Sequence, residues 1–184
     1  MRISYIQQGL AALIMMGALA AGASADSPEA TTGDTLQPKQ VLGWLLNIRV
    51  YPDGLLMRAK LDSGARSSAM HAEDIEVFED DDGRQMVRFV VLDEHDDPDS
   101  DAMSLVLPLE REVNIKLRYT DDADARPVVK MEFCMAGKRH TALLSLTDRS
   151  NFNYPVLLGR EFLKTAYLID PSESFTHRTG CPRG

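Results

Sequence analysis

The tripeptide Asp62-Ser63-Gly64 contains the residue types of a carboxylate-based active site. An ionised aspartate can act as a general base, and a nearby glycine lets the backbone approach another segment closely. The alternating segment Leu55 to Leu61 precedes the tripeptide, which predicts a strand that ends at the aspartate. The same residue types also favour simple turns, so the tripeptide alone does not separate a catalytic loop from a structural one.

A second motif, Val156-Leu157-Leu158-Gly159, runs into a short predicted helix that begins at Arg160. Arg66 and Arg160 each stand beside one of the two motifs. Arginine at such positions would bind a carboxylate-bearing substrate through paired hydrogen bonds. The alternative is a structural ion pair with an acidic neighbour such as Glu73 or Glu161. Two other arginines are candidates of the same kind: Arg111 and Arg149.

Three stretches resemble the signature of a bacterial family of retropepsin-like aspartic proteases, formerly labelled "ATP-dependent zinc protease": Lys60 to Ala72 (KLDSGARSSAMHA), Leu143 to Arg149 (LLSLTDR) and Pro155 to Arg160 (PVLLGR). The resemblance extends over Leu42 to Ser174. The usual family form has Thr where this chain has Ser63, which is a mild departure. Aspartic proteases pack an aliphatic-aliphatic-Gly turn beneath an Asp-Ser/Thr-Gly loop. The resemblance therefore implies catalytic roles for Asp62, Ser63 and Gly64.

The resemblance implies a fold, a reaction and a substrate class. The fold is all-β: a single retropepsin-like (acid protease) β-barrel domain with one short C-terminal helix. The reaction is peptide-bond hydrolysis by a homodimer in which two Asp62 carboxylates share one proton. The substrate is a peptide or protein, glutamate-rich in related proteins, with Arg66 and Arg160 as substrate-binding residues. The expected flap over the substrate is the segment 104–118 or the hairpin at 80–85.

The cofactors in the family's older label have no motif in this chain. ATP would need a G-x-x-x-x-G-K-[ST] phosphate loop, which the sequence lacks. Zinc would need closely spaced ligands such as H-E-x-x-H, and the four histidines are scattered: His71, His95, His140 and His177. We therefore expect no cofactor and no metal site, and we expect His71 to be a hydrogen-bonded structural histidine. Two alternatives to a protease stay open: a non-catalytic binding or assembly module on the same fold, and a metal-dependent hydrolase.

Residues 1–25 are typical of a secretory signal peptide. Arg2 precedes an apolar stretch from Gly9 to Gly22, which ends in Ala23-Ser24-Ala25. We expect cleavage after Ala25 and a periplasmic or secreted chain, with no stable membrane span after cleavage. The alternative is an uncleaved membrane anchor, for which the apolar stretch is short. The rest of the chain is predicted to consist of a disordered leader (26–40), a folded domain (41–175) and a C-terminal tail (176–184).

Short strand patterns separated by turns dominate the predicted domain. Ile75 to Phe78 and Met86 to Val91 flank the turn at Asp80 to Gly83, which predicts a hairpin. One short helix, predicted over 160–165, comes late in the chain, so the pattern indicates an all-β barrel or sandwich. The acidic segment Asp93 to Asp101 is expected to be a solvated loop rather than a calcium site.

Charge and cysteine content restrict the partners and the compartment. The formal net charge of −8 argues against nucleic acid as the main partner, because phosphate binding needs concentrated positive charge. The chain has two cysteines, Cys134 and Cys181. They would be able to pair in an oxidising periplasm, and the alternative is two free thiols.

Overall fold

A computed structural model of the chain describes residues 38–93, 100–116 and 123–181. The predicted signal peptide, nearly all of the predicted leader and residues 94–99 of the acidic segment lie outside these ranges. Within them, no helix is both long enough and apolar enough to cross a membrane.

The described residues form strands almost throughout, with one helix late in the chain. In chain order the elements are β1 (Gln40–Gly43), β2 (Leu45–Val50), β3 (Leu55–Asp62), β4 (Ser68–His71), β5 (Glu73–Glu79), β6 (Gln85–Leu92), β7 (Ala102–Lys116), β8 (Ala123–Met135), β9 (Lys138–Thr147), β10 (Val156–Gly159), α1 (Arg160–Leu163) and β11 (Tyr167–Asp170). The late helix is present as predicted, although it ends at Leu163 rather than at residue 165.

Six strands close into a barrel in the order β2-β3-β10-β4-β9-β8, and β8 pairs again with β2. The alternation predicted for β3 is observed, with Met57, Ala59 and Leu61 buried and the residues between them only partly buried. The neighbouring strand β2 contributes Leu46 and Ile48, both 0% exposed. Because alternate residues of each strand point inward, closure of the barrel gathers these side chains into one core. The predicted all-β barrel is confirmed.

Strands β5 and β6 and the first half of β7 extend the sheet beyond the barrel. Strand β7 joins the two parts, because residues 102–108 pair with β6 and residues 109–116 pair with β8. The β5–β6 pair is the hairpin expected from the sequence. The candidate flap segment 80–85 belongs to this region, whereas the described part of the other candidate, 104–118, begins in it and continues along β8 from residue 109.

Trp44 lies between β1 and β2 and separates them. Strand β1 leaves the barrel and pairs in parallel with β11. The Trp44 ring packs edge-on against Tyr154, with 5.7 Å between the ring centroids. The Trp44 carbonyl oxygen accepts a hydrogen bond from the Leu61 N–H at 2.8 Å, so Trp44 is tied to the strand that carries Asp62.

The segment after β11 packs against the barrel. The Gly43 N–H donates to the Thr176 hydroxyl oxygen at 2.9 Å. A disulfide then joins Cys134 of β8 to Cys181. Of the two alternatives for the cysteines, the structure therefore forms the pair, and the disulfide closes a large loop of the chain.

Helix α1 has only one turn and depends on aromatic packing rather than on its own length. Phe162 lies 5.4 Å from Phe133 and 5.4 Å from His140, measured between ring centroids. His140 Nε2 is 2.9 Å from the Tyr167 hydroxyl oxygen. Burial lowers the pKa of His140, which favours the neutral imidazole within this cluster. The aromatic cluster fixes α1 against the barrel at the point where β10 ends.

Candidate active site

The loop that begins at Asp62 spans strand β10. Strand β3 ends at Asp62 and β4 begins at Ser68, while β10 lies between them, parallel to β3 and antiparallel to β4. Gly159 is the register partner of Asp62. The two motifs singled out in the sequence therefore meet at one end of the barrel.

Gly159 allows the loop to cross the end of β10 in close contact. A Cβ atom on Gly159 would lie 2.4 Å from the Ser67 carbonyl oxygen, which is a backbone atom. The Gly159 N–H donates to the Ser68 hydroxyl oxygen at 3.0 Å, and the Arg160 N–H donates to the Ala65 carbonyl oxygen at 2.9 Å. The loop is thus held in place by residues far away in the sequence.

The Asp62 carboxylate is held on both of its oxygens, and 25% of its side chain stays exposed. Oδ1 accepts hydrogen bonds from the N–H groups of Gly64 (2.9 Å) and Ala65 (3.1 Å), and Oδ2 lies 3.1 Å from Lys60 Nζ. Burial raises the pKa of Asp62, but the hydrogen bonds from Lys60 and from the two amides outweigh it, so the net pKa falls below the ordinary 3.8. Asp62 is therefore ionised at neutral pH, which is the form that a general base needs.

Ser63 and Gly64 form the exposed tip of the loop. A Cβ atom on Gly64 would lie 3.2 Å from Asp62 Oδ1, which is tighter than an ordinary contact. Glycine thus leaves room for the carboxylate to turn back onto the loop amides. The catalytic roles expected of Asp62, Ser63 and Gly64 stay predictions, and the structure brings the three together.

Both predicted substrate-binding arginines are exposed and contact the loop or α1. Arg66 Nε donates to Glu161 Oε1 at 2.8 Å, which is the ion pair named as its alternative role. Arg160 Nη1 lies 3.4 Å from the Gly64 carbonyl oxygen. Within the described ranges, no carboxylate oxygen comes within 4.0 Å of the Arg160 guanidinium. The charge of Arg160 is therefore available to a ligand, whereas that of Arg66 is partly neutralised.

Cations outnumber carboxylates around the loop. Five cations contact the loop or act on Glu161: Lys60, Arg66, Arg111, Arg160 and Lys164. The carboxylates that they surround are Asp62 and Glu161. The hydrogen bond from Arg66, aided by the other nearby charges, lowers the pKa of Glu161 and keeps it ionised. This end of the barrel is locally basic, although the chain as a whole has a formal charge of −8.

A cavity of about 380 Å³ lies beside the loop, next to α1. Its walls come from the Asp62 loop, the first residue of β4, β7, β9, α1 and the segment after α1, and consist of Ser67, Ser68, Arg111, His140, Thr141, Ala142, Leu143, Glu161, Phe162 and Thr165. Arg111 thus lies on this side of the molecule, near the arginines that flank the two motifs. Ser67 and Ser68 connect the cavity wall directly to the loop that carries Asp62.

Arg149 lies at the His71 end of β4, whereas the Asp62 loop joins the Ser68 end. The Arg149 guanidinium stacks over Phe152, 4.4 Å from the ring centroid, and burial lowers its pKa. Its backbone N–H donates to His71 Nδ1 at 2.9 Å, and His71 is 1% exposed, as expected for a structural histidine. Among the described residues, no three His, Cys, Asp or Glu side chains gather in a way that could hold a metal ion.

Sequence reasoning assigned no role to Lys60 or to Ser68. Lys60 was detectable in principle, because positions 60 and 62 share one side of an alternating strand. Ser68 was not, because its hydrogen-bond partner, Gly159, lies 91 residues away in the chain. Only the tertiary fold brings the Ser68 hydroxyl group and the Gly159 N–H together.

A family profile described as the RimB-like retropepsin-like aspartic endopeptidase matches residues 41–179. This match covers most of the chain and includes both motifs of the candidate site. The chain belongs to the RimB-like family. Membership in the RimB-like family agrees with the closed barrel.

Other similar proteins include longer chains and one solved structure. A probable alpha-L-glutamate ligase of Shewanella pealeana is 33% identical over 123 residues, covering 65% of this RimB-like chain and 25% of the ligase. A probable alpha-L-glutamate ligase of Parasynechococcus marenigrum is 30% identical over 127 residues, covering 67% and 26%. The chain thus spans about a quarter of the length of these curated relatives. A Legionella pneumophila protein of unknown function aligns with a TM-score of 0.64 at 28% identity, over 77% of this chain and all of that one.

Proposed function

We propose that this chain is an aspartic-type peptide hydrolase that acts as a homodimer, in which two Asp62 carboxylates form the catalytic dyad. The observation that supports this most strongly is the Asp62 loop itself. It is a braced, partly exposed carboxylate loop at one end of a closed barrel, in a chain of the retropepsin-like aspartic endopeptidase family. The sequence contains one Asp-Ser-Gly, so a second copy supplies the second carboxylate across a twofold axis.

In the proposed reaction, the two carboxylates share one proton. The ionised Asp62 takes a proton from a water molecule, which attacks the scissile carbonyl carbon. The protonated Asp62 of the other protomer donates to the carbonyl oxygen. The dyad then returns a proton to the amide nitrogen as the C–N bond breaks and the carbonyl re-forms as a carboxyl group, which releases the amine and restores one proton on the dyad. Because two neighbouring carboxylates cannot both ionise easily, the second proton is retained to a higher pH than the first.

Lys60 shifts the protonation equilibrium of the dyad to lower pH. Its ammonium group contacts Asp62 Oδ2 and favours the ionised carboxylate. The singly protonated dyad is then populated at lower pH than it would be without Lys60. We therefore propose an acidic pH optimum for hydrolysis, with the Lys60 ion pair as one of its causes.

We propose acidic peptides as the substrate class. The five cations around two carboxylates would attract and orient a negatively charged chain, and Arg160 has a guanidinium available for a substrate carboxylate. The relatives named as probable alpha-L-glutamate ligases support the same class, because a product that contains joined glutamates is anionic. A ligation of glutamate would then be the class of reaction that supplies the substrate.

We propose that the protein acts after export, in the periplasm or outside the cell. The sequence pattern over residues 1–25 is one support. The disulfide between Cys134 and Cys181 is another, because such bonds persist in oxidising compartments. The mass of the protein purified from the periplasm tests this directly, since cleavage after Ala25 leaves a chain that begins at Asp26.

The decisive experiment combines hydrolysis with assembly. The full chain is expressed with its own N-terminus, purified from the periplasm, and assayed on a quenched fluorescent glutamate-rich peptide between pH 3 and pH 8, in parallel with light scattering. We expect a dimer with acid-shifted hydrolysis. Addition of excess Asp62→Asn protein, under conditions that allow subunit exchange, should lower the wild-type rate because each mixed dimer lacks one dyad carboxylate.

Other outcomes would point to the two alternatives. An active monomer, or a rate unaffected by exchange with the Asp62→Asn variant, would contradict the dyad. Peptide binding without hydrolysis in the wild type would indicate a binding module on the same fold. Loss of hydrolysis on chelation, with recovery on adding zinc, would indicate a metal-dependent hydrolase.

A further inference from the structure

We propose that the cavity beside α1 is a binding subsite for an acidic side chain of the peptide and that Arg111 is its specificity-determining residue. This inference rests on the proposed peptide hydrolase function and adds the place and the residue by which an acidic side chain is selected. Arg111 lies on β7, the strand that joins the barrel to the outer sheet, and its side chain lines the cavity.

The charge arrangement inside the cavity favours a ligand carboxylate at Arg111. Among the described residues of the lining, Glu161 is the only carboxylate, and its Oε1 already accepts the hydrogen bond from Arg66 at 2.8 Å. Arg111 acts on Glu161 through its charge, yet no described carboxylate oxygen lies within 4.0 Å of the Arg111 guanidinium. Arg111 therefore presents a guanidinium fork whose carboxylate partner would come from the ligand.

The rest of the lining matches the other parts of a glutamyl residue. The lining includes the apolar residues Phe162, Ala142 and Leu143, which suit methylene groups, and the polar residues Thr141 and Thr165. The cavity volume of about 380 Å³ lies within the range of roughly 300–1,000 Å³ that is typical of ligand pockets. It exceeds what one side chain fills, so it also accommodates the adjoining backbone.

The position of the cavity relates the subsite to the reacting bond. Ser67 and Ser68 belong to its wall, and the same loop begins at Asp62. A peptide that places an acidic side chain beside Arg111 is therefore held at the flank of the Asp62 loop. This position fits a residue next to the scissile bond rather than a distant docking site.

The test measures peptide binding with hydrolysis switched off. All variants are made in the Asp62→Asn background of the full chain. Fluorescence anisotropy measures the binding of labelled hexaglutamate and of labelled hexaglutamine, which is the uncharged control peptide. Arg111→Gln should weaken hexaglutamate binding at least about tenfold, the loss expected for one charge-assisted hydrogen bond, and should leave hexaglutamine binding unchanged. The affinity of Arg111→Lys for hexaglutamate should lie between those of the parent and of Arg111→Gln, because lysine keeps the positive charge but cannot form the paired hydrogen bonds of a guanidinium.

The matched control is Arg88→Gln. Arg88 is exposed on β6 and pairs with Glu76, so this variant removes the same charge from another part of the surface. It should change hexaglutamate binding less than twofold, in keeping with the small worth of exposed charges. Equal losses for Arg111→Gln and Arg88→Gln would overturn the subsite, as would equal affinity of the parent for both peptides or no binding of either.

Hydrolysis by the protein with Asp62 intact separates the two proposals. If it does not cleave hexaglutamate while binding depends on Arg111, the hydrolase fails and the subsite stands. If it cleaves hexaglutamate and Arg111→Gln binds as the parent does, the hydrolase stands and the subsite fails.

Discussion

Asp62 and Asp80 sit in two loops of this protein with nearly the same local chemistry. Asp62 Oδ1 accepts hydrogen bonds from two loop amides, and Asp80 Oδ1 accepts from the N–H groups of Asp82 (3.0 Å) and Arg84 (2.9 Å). A cation holds the second oxygen in each case, Lys60 for one and Arg84 for the other. The exposed fractions of the two side chains are 25% and 21%, so exposure does not distinguish them.

The two loops differ in what they connect. The Asp80 turn joins the adjacent antiparallel strands β5 and β6, and the hydrogen bonds of its carboxylate with described residues stay within the hairpin. The Asp62 loop instead spans β10 and is bonded to residues more than ninety positions away, including Gly159. The Asp62 turn is therefore distinguished as a candidate site by its hydrogen bonds to residues distant in the sequence, not by its local geometry.

Removal of each carboxylate charge should give the largest contrast. Asp62→Asn is expected to lower the rate of peptide hydrolysis by about 10²- to 10⁴-fold, since it removes a general base. Asp80→Asn, the matched change in the other loop, should leave the rate within about twofold, because surface substitutions away from a site have small effects. Initial rates on the glutamate-rich peptide measure both. A comparable loss in the two variants would remove the distinction between the loops.

Alanine substitutions at Gly159 and Gly83 separate the cost of a steric clash from the cost of an unfavourable backbone conformation. Gly159→Ala places a Cβ atom against the Ser67 backbone and should cost about 3 kcal/mol of unfolding free energy, the upper part of the usual overpacking range. A Cβ atom on Gly83 would lie 3.9 Å from Glu79 Oε1, an ordinary contact, so the cost of about 1 kcal/mol for Gly83→Ala comes from the positive φ of 76°. Urea denaturation measures both, and a smaller loss for Gly159→Ala than for Gly83→Ala would contradict the close crossing.

Removal of the Ser68 hydroxyl group should have a smaller effect and tests its hydrogen bond with the distant Gly159. Ser68→Ala leaves the buried Gly159 N–H without its acceptor and should cost about 1–2 kcal/mol. Ser172→Ala is the control, because Ser172 is an exposed serine whose hydroxyl donates to Asp170. The control should lose less than about 0.5 kcal/mol in the same denaturation assay. Equal stability of the two variants would show that the Ser68 contact does not brace the loop.

Lys60 and Arg84 offer the finest comparison, between the two cations. Lys60→Met should raise the pKa of Asp62, because it removes a hydrogen bond and a charge that favour the carboxylate. On acidification, Asp62 would then become protonated at a higher pH than in the wild type, and the pH optimum of hydrolysis would move upward. Arg84→Met should raise the pKa of Asp80 and leave the optimum in place. Carbon NMR titration of the carboxyl groups and pH–rate profiles measure the two effects.

The stability of these variants should depend on pH in a defined direction. The pKa of folded Asp62 lies below the ordinary 3.8, so its ion pair stabilises the fold above that pH. The stabilisation is lost as pH falls through the folded pKa. The difference in stability between wild type and Lys60→Met should therefore shrink on acidification, and a difference that grows below pH 3.8 would show that Lys60 acts in another way.

Much of the barrel could be predicted because its information is local. The alternation around Met57, Ala59 and Leu61 indicated a half-buried strand, and the turn residues before Arg84 indicated the hairpin. The break at Trp44 was not predicted. It depends on β1 leaving the barrel to pair with β11, a partner from the other end of the chain. The same reason hid Ser68, whose hydroxyl group meets the Gly159 N–H only in the folded barrel.

Residue type and short-range alternation alone encode the strand-rich fold class, the Asp62 and Gly159 motifs and the arginines beside them. The tertiary structure decided that Gly159 lies opposite Asp62, that Arg66 pairs with Glu161, and that Arg111 lines a cavity beside the loop. These contacts join residues separated by long stretches of chain. Their geometry follows from the closure of the barrel, which no local pattern specifies.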